Sequence, residues 1–207
     1  MLNLLRKDFI ALRSSLWTIG LYLAVFSLAF IPSHEMSMYF VGIYTAFGSV
    51  ILATMIDIKN HNHNFLVTLP VSRKNIVQAK YVSAILYTLF GVLASLGIHW
   101  LVNLIFPELN KPSYTLMDIM VSIGMVLVLV SIYMPLFYAL SKKGAGIINA
   151  IFMVALILLA QPFAMLMNRV SEKGVDGQLI AMISVGIIFI FGASYVLTTR
   201  LFARKDL

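Results

Sequence analysis

Cysteine is absent from the 207 residues, so neither a disulfide framework nor a thiolate metal site can form. Charge is scarce as well. Only 11% of the residues are charged against 61% hydrophobic, and the mean hydropathy is +0.96. A soluble domain of this length needs far more polar surface, so the chain reads as an integral membrane protein. No G-x-x-x-x-G-K-[ST] run occurs, which leaves the chain without a phosphate-cradling loop of its own. The absence of an H-E-x-x-H helix and of a Ser-His-Asp constellation removes support for an intramembrane protease. His61 and His63 stand two residues apart, which on a helix turns them away from each other by about 200°, and no third ligand is near. No metal or other cofactor is expected in this chain.

What is present is a series of continuous apolar runs. Six can be drawn: residues 16–31, 38–55, 81–106, 120–140, 147–167 and 179–201. A hydrocarbon core of about 30 Å needs roughly 20 helical residues, so each run approaches or exceeds a span. The runs do not alternate, which argues against membrane strands. The expected fold is an all-α integral membrane bundle of six transmembrane helices, forming a single domain over residues 1–207. The first run follows a charged segment, and no clear small-x-small cleavage site follows it. It therefore reads as a span rather than a secretory signal.

The distribution of Lys and Arg predicts the orientation. Twelve lie on one side: Arg6, Lys7, Arg13, Lys59, Arg73, Lys74, Lys80, Lys142, Lys143, Arg200, Arg204 and Lys205. Three lie on the other: Lys111, Arg169 and Lys173. That asymmetry places both termini in the cytoplasm. The net charge of +7 is thus a topology signal, and nucleic acid is not an expected partner.

Two cytoplasmic features follow. Residues 1–14 carry Leu2, Leu5, Phe9 and Leu12 at helical spacing, with Asn3, Arg6, Lys7 and Arg13 largely opposite. This predicts an amphipathic helix lying in the membrane interface, either as a simple anchor or as a brace for the bundle. The connector over residues 56–80 is more elaborate. Pro70 forces Leu69 toward an extended conformation, and Ser72 is then the expected N-cap of a helix starting at Arg73. Position 75 is Asn, so a full capping box is missing. A short helix before the proline, with Phe65, Leu66 and Leu69 as its apolar contacts, would make a rigid elbow. The alternative is a solvated loop with an ordinary basic cluster.

Polar residues inside the spans are candidates for function or for helix packing. His99 and Asn103 are one turn apart, and Gln161 lies in the fifth run at a similar depth. They could hold an outer gate shut or serve as packing contacts. Asn149 reads as packing. Pro135 and Pro162 each remove a backbone donor and are candidate hinges.

The stretch from Asn64 to Tyr81, NFLVTLPVSRKNIVQAKY, resembles the signature region of permease subunits of type-two ABC exporters. Leu66 to Lys74 supplies the leucine-rich turn and the LP-[VI]-S-[RK] centre, and Ala79-Lys80-Tyr81 the step into the next span. Leu4 to Phe9 resembles the family's start. Where relatives often carry a Glu-Lys-Asn-type run, this chain has Asp57-Ile58-Lys59-Asn60-His61-Asn62-His63. The resemblance implies pairing with a second permease copy or paralogue. It implies docking on a separate cytoplasmic ABC ATPase subunit, which would bind the ATP and Mg. Asp57, Asn64, Phe65, Leu66, Leu69, Pro70, Ser72, Arg73 and Lys74 would form the coupling region. It further implies export of an amphipathic peptide or a hydrophobic small molecule across a bacterial plasma membrane. The small six-span form is similar to permeases of phenol-soluble modulin exporters. The alternative is a non-transporting immunity or sensory module that binds a peptide or regulates a partner.

Overall fold

The computed structural model describes residues 4, 6, 10, 13, 16–32, 37–59, 72–109, 114–140, 144–156, 158 and 177–204. These residues form helices and no strand. We label the helices α1 (Leu16–Phe30), α2 (Ser37–Lys59), α3 (Arg73–Ile105), α4 (Leu116–Ala139), α5 (Gly144–Leu156) and α6 (Gly177–Ala203), with a short 3-10 turn over Pro107–Leu109. Four are long and apolar enough to cross a membrane: α2, α3, α4 and the Ala181–Ala203 part of α6. α1 and α5 are apolar but shorter. Among the described residues the span count is therefore four, where the apolar runs predict six.

α2 is the axis of the bundle. Every residue from Ser37 to Ile51 is buried, including Ser37, Thr45 and Ser49. A helix covered on all sides needs no amphipathic pattern, and α2 has none. α1 closes one side of it through rings: Phe30 stacks on Phe40 at 5.0 Å and on Tyr44 at 5.4 Å, and Phe26 lies 5.0 Å from Tyr44. α3 closes another, crossing α2 where Gly91 meets Ala46. α6 lies at the periphery against α3 and α4. It presents Met182, Val185, Ile188 and Phe189 outward, as a lipid-facing helix does.

α3 runs for 33 residues. At about 1.5 Å per residue it is close to 50 Å long, well beyond the hydrocarbon core. It begins eight residues before the apolar run does, because Ser72 caps it. The Ser72 backbone is extended, and its hydroxyl accepts from the Asn75 N–H at 3.3 Å. At the other end of the bundle α4 starts with a full capping box: Thr115 accepts from the Asp118 N–H, and Asp118 accepts from the Thr115 N–H.

Of residues 1–14, four are described: Leu4, Arg6, Ile10 and Arg13, all helical. Leu4 is buried, and Arg6 and Arg13 are exposed. The centre of the expected elbow, including His61, His63, Asn64, Phe65, Leu66, Leu69 and Pro70, lies outside the described residues, as do Gln161 and Pro162.

Candidate functional site

The two ends of the elbow segment are described, and both are anchored. α2 closes at Lys59 and α3 opens at Arg73. Just inside these ends, Lys80 Nζ contacts Asp57 Oδ2, with side chains only 6% and 4% exposed. Two charges are stable at that depth only as partners, since each alone would be an uncompensated ion in an apolar surround. The pair ties the last turn of α2 to the third turn of α3 and so fixes the separation of the two ends. Asp57 therefore turns its carboxylate inward, to Lys80.

Arg73 is engaged in a second tie. Its Nη1 donates to the carbonyls of Ala203 at 2.8 Å and Phe202 at 3.3 Å. These carbonyls close α6, where the last turn of a helix has no partners of its own and carries partial negative charge. The start of α3 is thereby held to the end of α6. Lys74, the next residue, is exposed, as are Arg200 and Arg204. Of the basic residues predicted for one membrane face, Lys59, Arg73, Lys74, Lys80, Arg200 and Arg204 thus gather at one end of the bundle.

Above the ion pair lies a small cavity of about 10 Å³, enough for one water, lined by Val50, Ala53, Thr54, Lys80, Ser83, Ala84, Tyr87 and Met134. It offers no room for an organic cargo. Beside it a hydrogen-bonded line crosses three helices. Tyr133 donates to Asn149 Oδ1 at 2.6 Å, and its oxygen lies 2.5 Å from Thr54 Oγ1, which itself donates to the Ile51 carbonyl at 2.7 Å. Tyr133 is fully buried and packs edge-on against Phe47 and Phe152. A second node joins α3, α4 and α6. Tyr81 lies 2.7 Å from Ser194 Oγ and 2.8 Å from Thr198 Oγ1, and Ser194 donates to the Ser131 carbonyl at 2.7 Å.

The opposite end of the α2–α3 pair has its own tie. His99 Nδ1 lies 2.8 Å from the Ser95 carbonyl, which can only accept. Nδ1 therefore carries the proton, and Nε2 receives the Ser37 hydroxyl at 2.7 Å. Ser95 Oγ donates to the Met38 carbonyl at 3.0 Å, and the Met38 N–H donates to Tyr114 Oη at 3.3 Å. Burial pushes the Tyr114 phenol up from its usual range, so it stays protonated as that acceptor. Tyr39 donates to Asp118 of the α4 capping box. His99 thus meets the first residue of α2, while Asn103, half-buried, stands one turn further along α3. Replacing Ser37 with Ala should cost about 1–3 kcal/mol by removing the buried hydrogen bond to His99 Nε2. Denaturation of the protein in lipid nanodiscs measures this.

Sequence reasoning counted Lys80 as a basic flank and as part of the step into the next span, and missed it as the partner of Asp57. The signal was an acid in the last turn of one apolar run and a lysine at the start of the next. It also missed the hydrogen bonds of Tyr81, named only as part of that step, and of Tyr133 and Ser194, which read as ordinary span residues. Pro135 is buried within α4, which continues through it to Ala139. Among the described residues no group of three or more His, Cys, Asp or Glu could hold a metal ion.

Comparison with known proteins matches the chain over residues 3–203 to a family model described as ABC-2 family transporter protein. No curated protein and no solved structure matches it. The match covers nearly the whole chain, which therefore belongs to the ABC-2 transporter family as a membrane component, and the family implies a separate ABC ATPase as partner.

Proposed function

From that membership we propose that the chain is the permease of an exporter, working as a pair of permeases with two ATP-binding subunits. In this reading residues 60–71 project into the cytoplasm and dock in a groove of the ATPase. The observation that carries it is the double anchoring at the ends of this segment. The Asp57–Lys80 pair fixes the separation of α2 and α3, and Arg73 fixes α3 to α6. Helix ends held that way pass a displacement to the bundle, whereas freely hinged ends would absorb it. Asp57 and Arg73 act as positioning residues, and Phe65, Leu66, Leu69 and Lys74 supply the contact.

Several features support the rest of this reading. The gathering of Lys59, Lys74, Arg200 and Arg204 at one end of the bundle supports a cytoplasmic face there, with both termini on that side. α1 and α5 complete six spans with residues from their flanks, and residues 1–14 lie in the interface. Closure of the ATPases tilts the bundles and alternates access. The cargo is amphipathic or hydrophobic, a peptide, toxin or drug, because the spans are apolar and the connectors short. The small form is similar to permeases of phenol-soluble modulin exporters of Gram-positive bacteria, which fits a bacterial plasma membrane.

Replacing Leu66 and Leu69 with Asp, together with Lys74→Glu, should abolish co-purification of the ATPase and leave the permease folded. Pull-down from detergent alongside a melting curve in nanodiscs reads both. Undiminished co-purification would remove the docking role. A non-transporting module would bind the peptide or the partner yet move nothing in ATP-energised vesicles.

A further inference from the structure

The candidate hinge at Pro135 has a feature that a simple proline bend lacks. A proline at position 135 has no N–H to give to the carbonyl four residues earlier, which belongs to Ser131. α4 nevertheless runs on to Ala139. The Ser131 carbonyl is met from another helix: Ser194 Oγ of α6 donates to it at 2.7 Å. Ser194 is itself 6% exposed.

The protons in this node can be assigned by counting donors. Ser194 has one hydroxyl proton, and it goes to Ser131 O, which can only accept. Tyr81, 2.7 Å from Ser194 Oγ, must therefore donate to it. Thr198, 2.8 Å from the Tyr81 oxygen and fully buried, donates in turn to Tyr81. The order is Thr198 to Tyr81 to Ser194 to the carbonyl that Pro135 leaves open. Tyr81 is gripped by α6, edge-on to Phe191 at 5.1 Å and to Tyr195 at 5.5 Å. It also follows Lys80, half of the buried ion pair, directly in sequence.

We propose that Ser194 is the latch of a hinge at Pro135, and that Tyr81 sets the latch according to the position of α3. Both are positioning residues that touch no cargo. With the latch closed, the carbonyl that Pro135 leaves open is matched and α4 is held in one geometry. A displacement entering at the start of α3 moves Lys80 and Tyr81 together, because they share one helical turn. Tyr81 then draws Ser194 away from Ser131, the carbonyl must find another partner, and the segment Leu136–Ala139 is released. The hydrogen bonds belong to this chain alone. The statement that ATPase docking drives them rests on the transporter reading above.

The test separates a latch from ordinary helix glue. If Ser194 only glues α6 to α4, Ser194→Ala costs the same whatever occupies position 135. If it serves the orphaned carbonyl, Pro135→Ala supplies the missing N–H and the effect of Ser194→Ala vanishes. In Ser194→Ala, Tyr81 keeps a partner in Thr198, so the lost group is the Ser131 carbonyl. The measurement is hydrogen exchange at the Leu136–Ala139 amides of the full-length permease in nanodiscs of phosphatidylglycerol and phosphatidylethanolamine. Ser194→Ala should speed exchange about tenfold in the Pro135 background. It should have no effect in the Pro135→Ala background, and Ser194→Thr should restore the wild-type rate. Equal effects in both backgrounds, or no effect in either, would overturn the latch. A second arm adds the ATPase subunit, which should speed exchange at these amides in the wild type and not in Tyr81→Phe. The same change in both would remove the role of Tyr81. Failure of the ATPase to bind is a failure of the transporter reading and leaves the first arm standing.

Discussion

Lys80→Met is expected to destabilise the permease by about 3–5 kcal/mol, and Asp57→Asn by a similar amount, whereas the two together should recover most of the loss. Each single change leaves one charge almost fully buried, since the partner side chains are only 6% and 4% exposed. The surviving charge must then be neutralised or hydrated at depth, and both are costly. Removing the two charges together removes the problem and leaves two apolar-tolerant positions. The double change should therefore be milder than either single one, the reverse of additivity. Unfolding in nanodiscs by a graded denaturing detergent gives the cycle. Additive losses would mean that the pair is not a unit. The double variant separates two consequences. Its fold is expected to stand, but ATP turnover by the bound ATPase should lose its response to cargo, because the ends of the elbow are no longer held at a fixed distance.

Gly91→Leu should separate α2 from α3. A Cβ at Gly91 would lie 2.5 Å from the Ala46 backbone nitrogen, 2.6 Å from its Cα and 2.7 Å from its Cβ. Two of the three obstacles are backbone, so no side chain can swing aside and the helices must part. Gly91→Ala already requires this and should cost about 1–3 kcal/mol, with Leu well beyond it. Gly97 lies on the same helix with nothing within 4 Å of its added Cβ. Gly97→Ala should therefore gain up to about 1 kcal/mol from helix propensity. Melting curves of the three variants make the comparison. Equal behaviour of Gly91→Ala and Gly97→Ala would show that the crossing is not close. The crossing lies midway between the Asp57–Lys80 pair and the Ser37–His99 bond. Prising it apart strains both ends, which is why Gly91→Leu is expected to reduce membrane-inserted protein as well as its stability.

Much of the fold is legible along the chain because bilayer thickness imposes a length on each apolar run. The Ser72 cap is legible too, since it depends on neighbours in sequence. The pairings across the bundle are not. His99 and Asn103 share a face, and Gln161 lies at a comparable depth, but nothing in the spacing shows that His99 will meet Ser37. That depends on how far α3 slides along α2, which Gly91 and Ala46 settle through their small size. Lys80 looks like any flanking cation until α3 is seen to start at Arg73, which places Lys80 two turns inside the helix. Ser194 is one small polar residue in an apolar helix. Its role follows from a proline 59 residues away in sequence whose missing proton leaves a carbonyl open. The burial of α2 on every side is invisible as well, because a span facing lipid and a span facing protein have the same apolar composition.

That enclosure bears on how the protein is made. α2 emerges from the ribosome before α3, α4, α5 and α6, so at first nothing is present to cover Ser37, Thr45, Ser49, Thr54 or Asp57. A lone helix carrying an unpaired carboxylate partitions poorly into lipid. About twenty residues beyond the end of α2 the chain supplies Lys80, and once α3 is complete the carboxylate enters the bilayer as half of an ion pair. Stable insertion of the second helix is thus expected to depend on the third. A lesion at Lys80 would be felt first at the translocon, by a chain that waits beside the membrane for a counter-charge that never arrives.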